Sequence, residues 1–215
     1  MTQPNYDFVT AAPIVPVLVI DQLEHAVPLA KALVAGGLPA LEITLRTECA
    51  LDAIEAIAAA VPGATVGAGT VCNRAQLLEC QNRGAQFIVS PGSSDAIFQA
   101  AHDAQLPLLP GVATASEIIH AKEAGFEILK FFPAEINGGA KALKAYSGPF
   151  YDLQFCPTGG IGPDNLADYL ALPNVIAVGG SWITPKAAMQ AGDWGKITDI
   201  ARQAVALAHG IRNAA

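Results

Sequence analysis

The chain has 215 residues, 52% of them hydrophobic, enough to bury a large core within one domain or at most two. Lys and Arg number 12 against 19 Asp and Glu, a formal charge of −7 with no basic run, which argues against nucleic acid and anionic membrane surfaces as partners. No apolar run reaches the roughly 18 residues of a membrane span. Residues 1–13 lack the basic start and apolar core of a secretory leader, so a cytoplasmic protein is expected.

Short β-branched runs alternate with helical patterns along the whole chain. Residues 1–13 form an extension before the first strand, and the floor of the fold is one place for them to pack. Strands are expected at 14–20, 40–45, 65–70, 86–90, 106–109, 128–132, 153–157 and 175–178. Between them, apolar residues at three- and four-residue spacing predict helices over 23–35, 50–61, 74–83, 94–104, 116–124, 140–146 and 163–171, with a last one over 197–212. Gly36-Gly37, Gly84 and Gly125 follow helical patterns where a left-handed residue ends a helix. Thr114 and Glu117 fit a capping box, and Pro163 fits a helical first turn.

Continuously apolar strands imply burial on both faces, hence parallel strands covered by helices. Eight such units point to a single-domain (β/α)8 TIM barrel of the α/β class. The alternative, an open doubly wound sheet, lacks a G-x-G-x-x-G after its first strand.

In a barrel the chemistry lies where strands end. Lys130, in Ile128-Leu129-Lys130-Phe131-Phe132-Pro133, is a lysine among bulky apolar neighbours, whose ammonium loses hydration; the uncharged amine is a nucleophile toward ketones. A strand-end lysine with its ammonium snorkelling to water is the bland alternative. Glu42, Thr44 and Arg46 alternate onto one face of the second strand, a costly placement for polar groups unless they have a role; a structural ion pair, or an arginine on the solvent-facing rim, is the alternative. Thr70 closes the third strand after small residues that either leave room for a ligand or simply allow a turn. Ser90-Pro91-Gly92 and Pro110-Gly111 read first as turns. Glycine pairs follow the last two strands, in Pro157-Thr158-Gly159-Gly160-Ile161 and Val178-Gly179-Gly180-Ser181-Trp182, where backbone amides can approach a phosphate.

A metal site is not expected, since the proposed mouth offers one carboxylate and no His or Cys cluster. His25, His102, His120 and His209 fall in helical patterns, and Cys49, Cys72, Cys80 and Cys156 are scattered, as reduced thiols would be. One lysine, one carboxylate, one arginine and a phosphate cradle fit Schiff-base chemistry on a phosphorylated oxo-acid.

These residues resemble the KDPG/KHG aldolase family, the class I enzymes that cleave 2-dehydro-3-deoxy-6-phosphogluconate in the Entner–Doudoroff pathway. The likeness runs from Pro13 onward. It is carried by Leu41-Glu42-Ile43-Thr44-Leu45-Arg46-Thr47, Val66-Gly67-Ala68-Gly69-Thr70-Val71, Ser90-Pro91-Gly92, Lys130-Phe131-Phe132-Pro133-Ala134-Glu135, Phe155-Cys156-Pro157-Thr158-Gly159-Gly160-Ile161 and Gly179-Gly180-Ser181-Trp182. The resemblance implies that Lys130 forms the Schiff base and that Glu42 is the general acid and base. Arg46 and Thr70 would bind the pyruvoyl carboxylate, and Pro91 and Phe132 would shape the pocket wall. Thr158, Gly159, Gly160, Gly179, Gly180 and Ser181 would line the phosphate side. It further implies a homotrimer with neither metal nor organic cofactor. The same lysine, glutamate and arginine suit 4-hydroxy-2-oxoglutarate or a galactonate-derived epimer, so those substrates stay open. Intact Lys130 and Glu42 argue against a phosphate-binding barrel without catalysis.

Overall fold

The computed structural model describes residues 6–214. Nine strands are found among them: β1 (Ile14–Leu18), β2 (Ala40–Thr44), β3 (Thr65–Gly69), β4 (Phe87–Val89), β5 (Leu108–Leu109), β6 (Gly111–Val112), β7 (Ile128–Phe131), β8 (Gln154–Phe155) and β9 (Val178–Gly180). Every pairing is parallel. The helices are α1 (Asp7–Thr10), α2 (Ala26–Ala35) after a 3-10 turn at Leu23–His25, α3 (Ala50–Ala60), α4 (Arg74–Asn82), α5 (Asp95–Ala104), α6 (Ala115–Glu123), α7 (Gly139–Tyr146), α8 (Leu166–Leu170), α9 (Lys186–Ala191) and α10 (Trp194–Ala214).

The α/β class is as expected, but the closed eight-stranded barrel is not what forms. A six-stranded half-barrel, ordered β5-β4-β3-β2-β1-β9, faces a separate three-stranded sheet, β6-β7-β8. Two local causes divide them. The expected fifth strand, 106–109, forms only as β5 and stops at Pro110, which has no N–H to give a ladder; the short strand beyond it, β6, is not among the expected ones and joins the other sheet. On the other side β8 has two residues, and contact with β9 is by isolated bridges, Phe155 of β8 with Val175 ahead of β9 and Thr158 beyond β8 with Gly179 of β9. The doubly wound alternative fails as well. From β1 to β5 each new strand adds on the same side, so right-handed crossovers put their helices on one face.

Strand alternation sorts side chains to the two faces. Ile14, Leu18, Leu41, Ile43, Val66, Ala68, Ile88 and Leu108 meet the helices in the main core. Val15, Ala40, Phe87, Val89, Leu109, Cys156 and Ala177 form a smaller apolar cluster on the opposite, inward face. Helix α1 closes that cluster: Phe8 stacks on Phe87 with ring centroids 3.9 Å apart, and the Tyr6 hydroxyl donates to the carbonyl of Leu108 at 3.0 Å. The inward floor is thus filled chiefly by apolar side chains.

Helix signals are mostly as read. Thr114 and Glu117 make the full capping box, and Gly37, Gly84 and Gly125 take φ near +90°. Pro163 is not in a helical first turn; α8 starts at Leu166, after a turn in which Asn165 accepts from the amide of Gly162 at 2.8 Å. Helices α1 and α9 form where the sequence pattern predicts none. Among the described residues no helix is long and apolar enough to cross a membrane, and no cluster of His, Cys, Asp or Glu could hold a metal ion.

Candidate active site

Lys130 and Glu42 lie 88 residues apart in sequence and meet on the inward side, with Lys130 Nζ 3.0 Å from Glu42 Oε1. Both are buried, at 3% and 2% exposure, so the pair is shielded from solvent screening. Alternation produces the meeting. On β2, Leu41 and Ile43 point to the helices and turn Glu42 inward; on β7, Leu129 and Phe131 do the same for Lys130. Gly69 on the neighbouring strand clears the space, since a Cβ there would stand 2.6 Å from Glu42 Cγ; Gly67 instead makes room for the Phe87 ring. The snorkelling alternative for Lys130 is excluded by its burial.

The Phe132 ring covers the amine, its centroid 5.1 Å from Nζ, within cation–π range. Pro91 reaches the site indirectly. Its backbone and the amide of Gly92 lie against Gly111, where a Cβ would come 2.6 Å from Gly92 N, and Gly111 is the register partner of Lys130 on β6. Buried Ser90 accepts from the Gly111 amide at 3.3 Å. Cys156 sits beneath the pair; burial pushes its thiol up to about 12, with the Glu42 carboxylate adding and the Lys130 ammonium opposing.

Arg46 follows β2 and is exposed. Its Nε donates to Thr70 Oγ1 at 3.0 Å. Thr70 holds a φ of +60°, a costly conformation for a β-branched residue. Thr44, on the same face as Glu42, is spent structurally, donating to the carbonyl of Leu18 at 2.8 Å.

The two glycine segments come together. Thr158 bridges to Gly179, and a Cβ on Gly179 would collide with the Thr158 side chain, 2.9 Å from Cγ2. Gly180 likewise lies under Trp182, 2.6 Å from Cη2 by the same measure. Packing therefore gives both residues a reason to be glycine apart from any anion. Gly159 and Gly160 have φ of +105° and +78°, open to glycine alone at little cost. Ser181 is exposed and lines a cavity of about 760 Å³ with Val17, Asp21, His25, Thr184 and Lys186. That cavity and a partnership between Glu135 and Tyr169 were not found from sequence.

The model for KDPG and KHG aldolase matches residues 6–200. The chain belongs to this family. It is an aldolase, a carbon–carbon lyase. It is 57% identical to the KHG/KDPG aldolase of Escherichia coli K12 over 196 residues, covering 91% of this chain and 92% of that protein. Among solved structures it resembles the KDPG aldolase of Legionella pneumophila, captured with pyruvate as a covalent carbinolamine intermediate. There the TM-score is 0.90 at 45% identity, over 92% of this chain and 96% of that one. The 2-keto-3-deoxy-6-phosphogluconate aldolase of Zymomonas mobilis with 3-phosphoglycerate gives a TM-score of 0.89 at 46% identity, over 94% of each chain.

Proposed function

We propose that the chain cleaves 2-dehydro-3-deoxy-6-phosphogluconate to pyruvate and glyceraldehyde 3-phosphate through a Schiff base on Lys130. The observation that carries this is the buried contact of Lys130 Nζ with Glu42 Oε1 at 3.0 Å. An attacking amine must give up a proton, and the carboxylate beside it can take one. Nζ adds to C2 of the ketone, and loss of water from the carbinolamine leaves a protonated imine. Glu42, directly or through one water, removes the C4 hydroxyl proton. The C3–C4 bond breaks, releasing the aldehyde, and its electrons pass into the imine to leave a neutral enamine. Protonation at C3 and hydrolysis then free pyruvate and the lysine.

Arg46 and Thr70 are assigned to the pyruvoyl carboxylate, and Phe132 and Pro91 to the wall about the reacting carbons. Thr158, Gly159, Gly160, Gly179, Gly180 and Ser181 are assigned to the phosphate. Spacing supports that assignment. Glu42 pairs with Val17 on β1, and Ser181 is one residue beyond the Pro16–Gly180 pair, so Glu42 and Ser181 lie in one row two strands apart. Two strand spacings are roughly 10 Å. An extended chain from C2 to phosphorus spans about 7–8 Å, leaving a hydrogen bond's reach to the hydroxyl.

Borohydride reduction with pyruvate followed by peptide mapping tests the reading. The adduct is expected on Lys130; none, or one on Lys141 or Lys144, would sink it. Full turnover in chelator is also expected, and activity restored by a divalent ion would favour a metal-dependent aldolase. Cleavage of 4-hydroxy-2-oxoglutarate is the second reading, favoured by the double name of the Escherichia coli relative. The two are separated by kcat/KM with and without the phosphate. By extension of the family resemblance, the working form is a cytoplasmic homotrimer, which light scattering on the purified protein tests.

A further inference from the structure

We infer that Glu135 and Tyr169 form a clasp that positions the backbone amides of Gly159 and Gly160 for the phosphate end of the substrate. This rests on the phosphorylated-substrate reading above. Tyr169, fully buried on α8, donates its hydroxyl to Glu135 Oε1, in the loop between β7 and α7. Burial and the Glu135 carboxylate both push the Tyr169 phenol above its ordinary range, so it remains a donor at any working pH.

Glu135 in turn holds the glycine loop. Its N–H donates to the carbonyl of Gly159 at 3.2 Å, while the N–H of Ala134 donates to that of Thr158 at 2.8 Å. In a trans peptide the C=O and the following N–H point in opposite directions. With the carbonyls of Thr158 and Gly159 fixed toward the β7–α7 loop, the N–H groups of Gly159 and Gly160 point away from it as a pair. The side chain completes the hold, because Gly160 rests on Glu135 so closely that a Cβ there would stand 2.6 Å from Cγ. On the flank, Asn165 Nδ2 donates to the carbonyl of Gly160 at 3.0 Å.

Space for the clasp is reserved in a third segment. A Cβ on Gly139 would fall 2.9 Å from Glu135 Oε1 and 3.0 Å from the Tyr169 hydroxyl. Two successive glycines have more backbone freedom to lose than any other pair, so a Gly-Gly loop left alone would spread its amides over many orientations. A carboxylate anchored by a buried phenol removes that freedom before substrate arrives. Neither residue touches the reacting carbons in this scheme; both are positioning residues.

The test compares kcat/KM for 2-dehydro-3-deoxy-6-phosphogluconate and for its unphosphorylated counterpart in the wild type and in Tyr169→Phe, Glu135→Ala and Glu135→Gln. Tyr169→Phe and Glu135→Ala are expected to lower the phosphorylated-to-unphosphorylated ratio about five- to tenfold, the worth of one or two hydrogen bonds, chiefly through KM. Glu135→Gln keeps an oxygen to accept from Tyr169 and is expected to stay within about twofold of wild type. A ratio unchanged in Tyr169→Phe and Glu135→Ala, an equal loss on both substrates, or a glutamine as poor as alanine would each overturn the inference. If Tyr169→Phe does not fold, Glu135→Ala decides, since Glu135 is exposed. Wild-type protein that cleaves neither substrate would instead defeat the aldolase reading.

Discussion

The side chain of Glu42 lies across Gly69, so close that a Cβ on that glycine would stand 2.6 Å from Glu42 Cγ. In the parallel register Glu42 pairs with Gly67 and Thr44 with Gly69, so the Glu42 side chain leans two residues along β3 to lie over Gly69. Gly69→Ala is therefore expected to push the carboxylate off Lys130 while leaving the strand in place. A displacement on the order of 1 Å at a reacting group costs about 100-fold in rate, and a coupled assay of pyruvate release should show a loss of that order in kcat. Wild-type kcat in the variant would mean that Glu42 is not where the proton goes.

Arg46 and Thr70 test the other end of the substrate. The arginine holds Thr70 Oγ1 at 3.0 Å and keeps further guanidinium N–H groups for a carboxylate. The pyruvoyl half is common to all the candidate substrates. Arg46→Ala should therefore lower kcat/KM for phosphorylated and unphosphorylated substrates in equal proportion, by about tenfold or more. Arg46→Lys should recover little, because an ammonium cannot form the planar two-pronged contact. A loss confined to the phosphorylated substrate would move Arg46 to the phosphate end.

What the sequence reveals here follows from the range of each signal. Glu42 and Lys130 stand out because each is a charged residue at an alternate position in an otherwise apolar strand, and period-two alternation tells which way it points. Their contact follows once parallel strands are taken to present the same ends to one side. Barrel closure is not legible by the same logic. It turns on whether the short segments around Pro110 and Gln154 sustain a ladder, and one missing N–H or one lost residue in a two-residue strand decides it. The Glu135–Tyr169 contact is hidden for a different reason. A loop glutamate and an aromatic on an amphipathic helix each have an ordinary reading alone, as surface and as core. The glycines mislead in part, since Gly179 and Gly180 are required by Thr158 and Trp182 whether or not an anion binds.

Buried acidic groups without carboxylate chemistry make the fold sensitive to alkali. Burial pushes the thiols of Cys80 and Cys156 up to about 11 and about 12 from an ordinary 9.0, and the phenol of Tyr6 up to about 12 from 10.0. The unfolded chain gives up these protons first as pH rises. Between about 9 and 12 the folded state then binds more protons than the unfolded one, and stability falls with pH. Urea midpoints should hold below pH 9 and decline above it, and Cys156→Ala should flatten the decline. At pH 8 iodoacetamide should label exposed Cys72 and leave Cys156 unmodified in the folded protein. A midpoint independent of pH up to 11 would contradict the assignment.

The Lys130–Glu42 pair separates stability from chemistry. Both side chains are 3% exposed, and 3.0 Å separates amine from carboxylate. Removing one partner of a buried ion pair strands the other charge and costs about 3–5 kcal/mol, whereas removing both leaves little to desolvate. Lys130→Met should thus be inactive and strongly destabilised, with Glu42 left among apolar neighbours. Lys130→Met with Glu42→Gln should be equally inactive yet recover much of the lost stability in urea titrations. On the proposed mechanism catalysis opposes stability, because the apolar enclosure that makes the charges costly is what removes water from the amine. Additive destabilisation in the double variant would show that the two groups do not share their burial, and the proton-transfer scheme built on their contact would fall with it.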